Sequence, residues 1–267
     1  MRTPLGQNFL INEGIAQKIV QSANIKDGNI LEIGPGKGML TKYLAEKAKK
    51  LLAIEIDRSL AAELERRSYK NTEISRDDIL KINLQKLIEE NNFQDYKVVA
   101  NLPYYITSKI IRLLLETKCP PQEMILMVQR EVGERIVARD GKESILSISV
   151  KFYAEPEILF NVPRENFDPV PEVDSVVIRI RRKDIISDVD IKNFFSLVKS
   201  GFSAKRKTLA NNLASGLHLP KEKIAQTLKK AGLEPGVRAE KLTLEDWEKL
   251  YDNLIREVKN GRFENIA

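Results

Sequence analysis

The sequence is poor in the residues on which metal sites and nucleophilic catalysis most often depend. It holds one cysteine, Cys119, and one histidine, His218, among 267 residues. A single cysteine excludes an internal disulfide and a zinc site built from cysteines. A single histidine excludes most histidine-dependent mechanisms. We therefore expect no metal, and we interpret Cys119 as structural and His218 as a surface or helix-cap residue.

Long apolar runs are also missing. No segment is apolar for long enough to cross a bilayer, and the first residues do not form the apolar core of a secretory signal. These absences predict a cytoplasmic protein without membrane contact. The net charge of +6 favours a polyanionic partner only weakly. Residues 185–267 hold 15 Lys and Arg against 11 Asp and Glu, so most of the cationic excess lies in the last third.

Strand and helix patterns alternate along the first half of the chain. Apolar runs of strand length occur at 30–33, 51–54, 73–75, 98–100 and 124–128. Helical patterns lie between them, at 39–48 and 59–67, and an earlier amphipathic helix follows Asn12, a plausible N-cap. This alternation predicts an α/β fold with a mostly parallel, Rossmann-like sheet.

After residue 130 the pattern changes. A helix is predicted over 131–137, followed by a turn at 139–142. Strands predicted over 147–153 and 175–180, joined by a proline-containing loop, indicate a hairpin at one edge of the sheet, the usual end of a methyltransferase-type α/β fold.

Beyond residue 184 the pattern is helical, with glycine and proline breaks, and predicts a small all-α domain. The predicted helices cover 191–201, 205–216, 221–231 and 244–258. We therefore divide the chain into a Rossmann-like domain, residues 1–184, and a helical domain, residues 185–267.

The most informative segment is Asn101-Leu102-Pro103-Tyr104. It follows the strand predicted over 98–100, and ligands bind at the carboxyl ends of strands in open α/β sheets. The Asn101 side-chain oxygen and the Leu102 carbonyl could each accept one hydrogen of an amine on a flat ring, while Tyr104 stacks on that ring. The alternative is an ordinary strand-to-helix turn with a buried tyrosine, and the segment alone does not separate the two.

A glycine-rich loop, residues 32–38, follows the first strand of the predicted sheet. Gly34 and Gly36 permit a tight turn and a close approach of a ligand to the backbone. The spacing is not that of dinucleotide binders, and Glu32 would repel a pyrophosphate. A cofactor that carries an ammonium group would instead attract this carboxylate. Lys37 is interpreted as a solvated charge.

Two acidic residues follow the next two strands. Glu55 is placed to accept both hydroxyls of a ribose, and Asp78 to accept from an adenine amino group. Each acid alone could be a solvated strand-end charge. Together with the glycine loop and Asn101, they predict S-adenosylmethionine as the cofactor, with NAD a more distant alternative.

These segments resemble the KsgA-type small-subunit ribosomal RNA adenine dimethyltransferases, and the resemblance runs nearly end to end. It rests on 6–10, 32–38, Glu55, Asp78, 101–104, 166–175 and 202–209. The resemblance implies that S-adenosylmethionine is bound by Asn8, Leu10, Gly34, Glu55, Asp78 and Asn101, and we expect Gly36 of the glycine-rich loop to bind it as well. It also implies dimethylation of N6 on two adjacent adenines in the 3′-terminal hairpin of 16S ribosomal RNA. One departure is Asp77, where relatives usually carry glycine.

The chemistry of such a transfer depends on positioning. The exocyclic nitrogen of adenine is a poor nucleophile, whereas the sulfonium is an activated donor, so orientation supplies much of the acceleration and no strong base is needed. The adenine must leave its stack to reach the site. We predict that Asn101, Leu102, Pro103 and Tyr104 hold it and that Phe167 covers its second face. A core aromatic is the alternative for Phe167.

A basic run in the helical domain is the candidate RNA contact. Lys199, Lys205, Arg206 and Lys207, with Asn211 and Asn212 nearby, could line a phosphate-binding surface. A solvated helix face is the alternative. We expect a monomer whose partner is the small ribosomal subunit.

Three other functions remain open. An Erm-type enzyme would modify a large-subunit adenine with the same chemistry, although the segments 205–209 and 238–240 favour the small-subunit family. A non-catalytic RNA-binding assembly factor would not need Glu55 or the 101–104 segment. A DNA adenine methyltransferase would share the catalytic cluster. The basic helical C-terminus favours RNA without excluding DNA, and competition between substrates would separate the two.

Overall fold

The computed structural model describes residues 8–138, 141–185 and 187–259, with side chains described as far as residue 255. Two compact units are present. The first combines Met1–Glu134 with Ala154–Lys183, and the second combines Arg135–Tyr153 with Asp184–Ala267. The predicted division at residue 184 assigned residues 135–153 to the first domain, whereas their contacts lie with the second unit.

The first unit contains a seven-stranded sheet and a separate strand pair. The strands are β1 (Phe9–Leu10), β2 (Asn29–Ile33), β3 (Lys50–Ile54), β4 (Thr72–Ser75), β5 (Tyr96–Asn101), β6 (Glu123–Gln129), β7 (Ala154–Val162), β8 (Phe167–Asp168) and β9 (Ser175–Arg182). The large sheet has the order β4-β3-β2-β5-β6-β9-β7, and β1 pairs with β8. The five strands β2 to β6 are parallel, and β9 runs antiparallel to both of its neighbours. The predicted α/β fold with a mostly parallel sheet is confirmed.

Burial explains why these segments form strands. Val98, Val99 and Ala100 in β5 are completely buried, as are Ile30 and Leu31 in β2. A parallel sheet that is covered on both faces selects such continuous apolar runs. Because β2, β3 and β5 are neighbours with the same direction, the residues that follow them meet at one edge of the sheet.

Helices connect the strands and build the second unit. They are α1 (Glu13–Ser22), α2 (Met39–Lys47), α3 (Arg58–Arg66), α4 (Leu84–Glu90), α5 (Thr107–Glu116), α6 (Arg130–Val137), α7 (Ile145–Tyr153), α8 (Ile191–Gly201), α9 (Leu209–Leu217), α10 (Lys221–Lys230) and α11 (Leu244–Lys259). Asn12 caps α1 by accepting from the Ile15 N–H at 3.1 Å, as predicted. His218 caps α9 in a left-handed conformation, which confirms the cap interpretation. No helix among the described residues is long and apolar enough to span a membrane.

The strand predicted over 147–153 is wrong, because these residues form α7. Ser144 and Ser147 cap this helix reciprocally: the Ser147 Oγ accepts from the Ser144 N–H at 2.7 Å, and the Ser144 Oγ accepts from the Ser147 N–H at 3.1 Å. Short apolar runs do not distinguish a strand from a buried helix, and the capping pair decides here.

The hairpin itself is present, but its first strand is β7. It pairs with β9 over its whole length, with an irregularity between Ile158 and Phe160. β7 lies at the edge of the sheet, where Pro156 is tolerated because no further strand needs its missing N–H. The helix predicted from residue 205 begins at Leu209, because Thr208 is its N-cap. Residues 6–7 of the first motif and 139–140 of the predicted turn lie outside the described residues.

Candidate active site

A cavity opens in the first unit at the carboxyl ends of the parallel strands. It holds about 1240 Å³ of empty space, its open mouth included. Its lining includes Asn8, Leu10, Gly34, Gly36, Glu55, Asp78, Asn101, Leu102, Pro103 and Tyr104. The structure thus brings together every predicted cofactor residue and all but one of the predicted catalytic residues. The exception is Phe167.

The glycine loop after β2 turns tightly against the N-terminal segment. Gly36 has a φ of +57°, and a Cβ on this residue would lie 3.0 Å from the Phe9 ring. A side chain at this position would therefore be strained and would collide with a neighbour. The Phe9 ring also lies 4.7 Å from Lys37 Nζ, so Lys37 makes a cation–π contact and lines the cavity. The solvated interpretation of Lys37 missed this contact.

Glu55 is fixed between two loops. Its side chain is 1% exposed, and its two oxygens accept hydrogen bonds from the N–H groups of Gly36 and Asp57, each at 2.9 Å. An ionised carboxylate has about four acceptor positions, so each oxygen can still accept one more hydrogen. The arrangement can hold a vicinal diol such as a ribose, one hydroxyl on each oxygen.

Glu32 is a second buried carboxylate in the same cavity. Burial raises its pKa to about 8; Thr41 opposes the shift in part and the neighbouring charge of Glu55 adds to it. The Glu32 Oε2 atom is buried and accepts no hydrogen bond from any residue that the structure describes. A cationic ligand group beside this oxygen would satisfy it and would favour its ionised form.

The two aspartates after β4 differ in their surroundings. Asp78 is half-buried, accepts from the Leu80 N–H at 3.0 Å and lies 3.5 Å from Lys81 Nζ. Asp77 is exposed and accepts a hydrogen bond from the Ser75 hydroxyl. The additional charge of Asp77 is thus engaged by its own loop, although Asp77 still lines the cavity.

Apolar side chains flank the acids, and the sequence analysis did not single them out. Ile56 and Ile79 line the cavity next to Glu55 and Asp78. Each follows directly after an acid at a strand end, so their positions could have indicated the apolar walls of a base-binding pocket. Tyr105, 62% exposed, lines the same cavity.

The 101–104 segment presents two free acceptors. The Asn101 amide donates to the Asn8 carbonyl at 3.3 Å, which orients its oxygen the other way. Neither that oxygen nor the Leu102 carbonyl accepts a hydrogen bond from any described residue. The Tyr104 hydroxyl lies 3.0 Å from Ser175 Oγ, which fixes the ring, and burial raises the Tyr104 pKa while Ser175 partly opposes the shift.

The N-terminal segment is held in place by β8, a pairing that the sequence analysis did not predict. Leu10 pairs with Phe167, and the Ile11 N–H donates to the Asn166 carbonyl at 2.9 Å. Asn12 also donates to the Asn166 side chain at 2.8 Å. Two separate motifs, around residues 8–10 and 166–168, therefore form one structure that places Asn8 against Asn101.

Phe167 lies in the hydrophobic core. Its side chain is 1% exposed and packs with the buried cluster that includes Leu10 and Ile19. This position agrees with the alternative interpretation, in which Phe167 is a core aromatic. Stacking on an adenine would require the ring to leave the core, and that role stays a prediction.

The predicted RNA-binding residues all lie in the second unit. Lys199, in the last turn of α8, and Lys205, Arg206 and Lys207, in the turn before α9, are exposed. Lys205 and Lys207 also line a second cavity in that unit. Among the described residues, no group of three or more His, Cys, Asp or Glu could hold a metal ion.

The cavity of the first unit fits S-adenosylmethionine. It offers an unsatisfied carboxylate for the ammonium, a fixed carboxylate for the ribose and an acid with apolar neighbours for the adenine.

Comparison with known proteins gives a consistent result. The model of the family described as ribosomal RNA adenine dimethylase matches residues 1–256. Proteins named ribosomal RNA small subunit methyltransferase A are similar: that of Dehalococcoides mccartyi is 41% identical over 93% of this chain and 87% of its own. That of Alkaliphilus oremlandii is 42% identical over 95% of this chain and 92% of its own.

Solved structures agree with the relatives. A dimethyladenosine transferase from Plasmodium falciparum superposes with a TM-score of 0.80 at 30% identity, covering 95% of this chain and 98% of its own. The 23S rRNA methyltransferase ErmE gives a TM-score of 0.75 at 26% identity, covering 93% of this chain and 100% of its own.

Proposed function

The chain belongs to the ribosomal RNA adenine dimethylase family, and from this premise we propose that it dimethylates N6 of two adjacent adenines in the 3′-terminal hairpin of small-subunit (16S) ribosomal RNA, during ribosome biogenesis. The family's cofactor is S-adenosylmethionine. The curated relatives at 41–42% identity carry the small-subunit name, whereas the large-subunit enzyme ErmE is 26% identical. This difference supports the small-subunit substrate over the Erm-type alternative.

Three acids of the first unit hold the cofactor in this proposal. Glu55 accepts the two ribose hydroxyls, Asp78 accepts from the adenine amino group, and Glu32 pairs with the ammonium. Asn8 completes the site by keeping the Asn101 amide in place through the 3.3 Å hydrogen bond. When bound, S-adenosylmethionine supplies an activated methyl group, so the protein has to supply mainly orientation.

Asn101 and Leu102 orient the amine that is methylated. With one N–H bound to the Asn101 oxygen and the other to the Leu102 carbonyl, the nitrogen lone pair is directed away from both acceptors. Tyr104, whose hydroxyl is tethered 3.0 Å from Ser175, stacks on the adenine and fixes the plane of the ring. Once the nitrogen is alkylated its proton is acidic, so solvent can remove it.

The second methylation constrains the site further. After the first transfer, the amine keeps one N–H, so one acceptor loses its hydrogen bond and must tolerate a methyl group. The pair of acceptors therefore binds the unmethylated adenine with two hydrogen bonds and the monomethylated adenine with one. We expect the second transfer to be the slower of the two for this reason.

The observation that carries the proposal is the pair of free acceptors at residues 101 and 102 beside an acid-lined cavity. A protein that only binds RNA needs neither feature, which argues against a non-catalytic assembly factor. We further propose that Lys199, Lys205, Arg206 and Lys207 contact phosphates of the RNA. The monomeric state and the cytoplasmic location stay predictions.

The test is to incubate the protein with labelled S-adenosylmethionine and under-methylated small subunits, large subunits or duplex DNA. Mass spectrometry then identifies the product. Dimethyladenosine confined to small-subunit RNA is the expected result. Label in large-subunit RNA would support the Erm-type alternative, and label in DNA would overturn the RNA assignment. Binding without transfer to any substrate would favour the assembly factor.

A further inference from the structure

The second unit contains a cavity of its own. It holds about 1410 Å³ of empty space, its open mouth included, and three segments form most of its wall. They are residues 141–146 before and at the start of α7, residues 201–207 between α8 and α9, and residues 238–241. The cavity lies entirely among residues of the second unit. The proposed function uses two of its lining residues, Lys205 and Lys207, as phosphate contacts, and it assigns no role to the cavity itself.

Cations dominate the lining of this cavity. They are Arg135, Lys142, Lys205, Lys207, Arg238 and Lys241. None of the six forms an ion pair with a carboxylate among the residues that the structure describes. Two acids, Glu143 and Glu240, also line the cavity, and Glu143 is paired with Lys151. The excess of unpaired positive charge suits a phosphate-bearing ligand.

An aromatic ring lies in the same wall. Phe202 is half-buried, lines the cavity and stacks on Trp247 with a centroid separation of 5.7 Å and an interplanar angle of 29°. A ring supported in this way is held rigid, and rigid aromatic rings beside cations are the usual platform for unstacked bases. A site that binds only phosphate would not need an aromatic ring.

Two residues that line the cavity, Asn212 and Glu143, also carry buried acceptors without donors. Asn212 is 2% exposed, and its amide donates to the carbonyls of Gly201 at 2.6 Å and Ala204 at 3.0 Å. These two bonds fix the orientation of the amide, and its oxygen accepts from no described residue. The Glu143 Oε2 atom is also buried and accepts from no described residue. A buried acceptor without a donor is costly, and a ligand with N–H groups would relieve that cost.

We propose that this cavity binds a single unpaired nucleotide, its phosphate against the cations, its base on Phe202, and the N–H groups of the base directed to Asn212 and Glu143. Guanine fits best, because N1 and the exocyclic N2 present adjacent donors on one edge. Uracil fits worst, because its one N–H lies between two carbonyl oxygens that would meet the protein's acceptors. The assignment of this nucleotide to small-subunit ribosomal RNA rests on the proposed function. The inference that the cavity binds a nucleotide does not depend on it.

The first test uses the full-length protein and free nucleotides, GMP and UMP, as probes. We expect GMP to bind at least about tenfold more tightly than UMP, since a buried acceptor left unpaired weakens binding by about this factor. Phe202→Leu removes the stacking surface and should weaken GMP binding about tenfold or more. The double variant Lys142→Gln/Lys241→Gln should weaken GMP and UMP by the same factor, because it removes phosphate contacts only.

Lys229→Gln is the matched control. Lys229 is an exposed lysine of α10 in the same unit and does not line the cavity, so its loss should leave both affinities unchanged. Phe202→Leu removes the stacking contact with Trp247 and could therefore fail to fold. In that case the lysine variant still tests the site. Equal affinities for GMP and UMP, or affinities that neither the lysine variant nor Phe202→Leu alters, would overturn the inference.

The second test identifies the source of the nucleotide. Kethoxal modifies N1 and N2 of unpaired guanines, so a guanine seated in the cavity becomes unreactive. We expect one guanine of the small-subunit RNA to be protected by the unaltered protein and to regain reactivity with Phe202→Leu. If GMP binds as predicted but no guanine behaves in this way, ribosomal RNA is not the source. Failure of methyl transfer with intact GMP binding would reject the proposed function alone.

Discussion

The two cavities of this protein differ in the sign of the charge that lines them. Among the residues that the structure describes, Glu32, Glu55, Asp77 and Asp78 line the cavity of the first unit with one cation, Lys37. Six cations and two acids line the cavity of the second unit, counted over the same described part of the chain. The negative charge of the first cavity suits a cofactor that carries a sulfonium and an ammonium group, and the positive charge of the second cavity suits a polyanion. A net charge of +6 for the whole chain conceals this separation.

The charges are also held differently. Glu55 is clamped by two backbone N–H groups and is almost completely buried, so its position is fixed before any ligand arrives. Lys142, Lys205 and Lys241 are exposed side chains on loops and turns, which can adapt to a backbone of variable shape. Rigid positioning serves a transfer reaction, whereas adaptable cations serve the recognition of a large RNA.

The largest expected effect is the loss of transfer in Asn101→Ala. This variant removes one of the two acceptors that orient the amine, and we expect single-turnover methylation of small subunits to fall by at least about 100-fold. Binding of the subunits should be kept. Asn253→Ala, which alters an asparagine of α11, is the control for the fold. Undiminished turnover by Asn101→Ala would reject the assigned role.

Glu55→Gln should weaken S-adenosylmethionine binding by about 10- to 100-fold. A glutamine amide cannot accept with both of its terminal atoms, so one of the bonds to the Gly36 and Asp57 N–H groups is lost together with a ribose contact. Calorimetric titration measures the affinity. Glu46→Gln, at an exposed position of α2, should leave it unchanged. An unaltered affinity in Glu55→Gln would place the ribose elsewhere.

Glu32→Gln should stabilise the cofactor-free protein in a pH-dependent way. Burial raises the pKa of this carboxyl from 4.5 to about 8, so the unfolded chain ionises it more readily than the folded protein does. Stability is therefore lost as the pH rises from 4.5 to 8, at about 1.4 kcal/mol per pKa unit at most. Glutamine does not titrate. The gain in the free energy of unfolding from Glu32→Gln should therefore be absent near pH 4.5, rise with pH, and level off above pH 8.

Thermal melting of both proteins between pH 5 and pH 9 measures this difference. The variant should also bind S-adenosylmethionine more weakly, because the ammonium loses its partner. A melting difference that does not grow with pH would mean that Glu32 is ionised in the folded protein at neutral pH. The acid-lined cavity would then carry the negative charge of Glu32 before the cofactor binds.

The smallest expected effect concerns the lysines of the second cavity. Each of Lys205→Gln and Lys207→Gln should reduce the slope of the logarithm of RNA affinity against the logarithm of salt concentration by about 1. Filter binding of small subunits at several salt concentrations measures the slope. Lys229→Gln is the control of equal charge. A slope that falls equally in the control would indicate a general charge effect rather than a site.

The active site could be predicted well from the sequence because its residues follow consecutive parallel strands. The positions of Glu55 and Asn101 depend only on strand order, and right-handed connections bring the ends of β3 and β5 to one edge of the sheet. Short-range patterns therefore determine which residues meet. The same reasoning applies to Asp78, which comes three residues after β4.

Features built from distant segments could not be predicted. The pairing of β1 with β8 joins two-residue strands, which are too short to leave a periodic pattern. The sequence therefore could not decide between a core position for Phe167 and a position against the adenine. The apolar run of α7 fits both the strand and the helix period, so the run alone predicts a strand, and the Ser144–Ser147 cap decides for the helix.

The central claim is that the acid-lined cavity binds the cofactor and the cation-lined cavity binds RNA. The most direct test is to titrate two variants, Glu55→Gln and Lys205→Gln/Lys207→Gln, each against S-adenosylmethionine alone and against small subunits alone. We predict that Glu55→Gln loses affinity for S-adenosylmethionine and keeps its affinity for the subunits, whereas the lysine variant shows the reverse. Loss of both affinities in either folded variant, or an exchange of the two effects, would contradict the account.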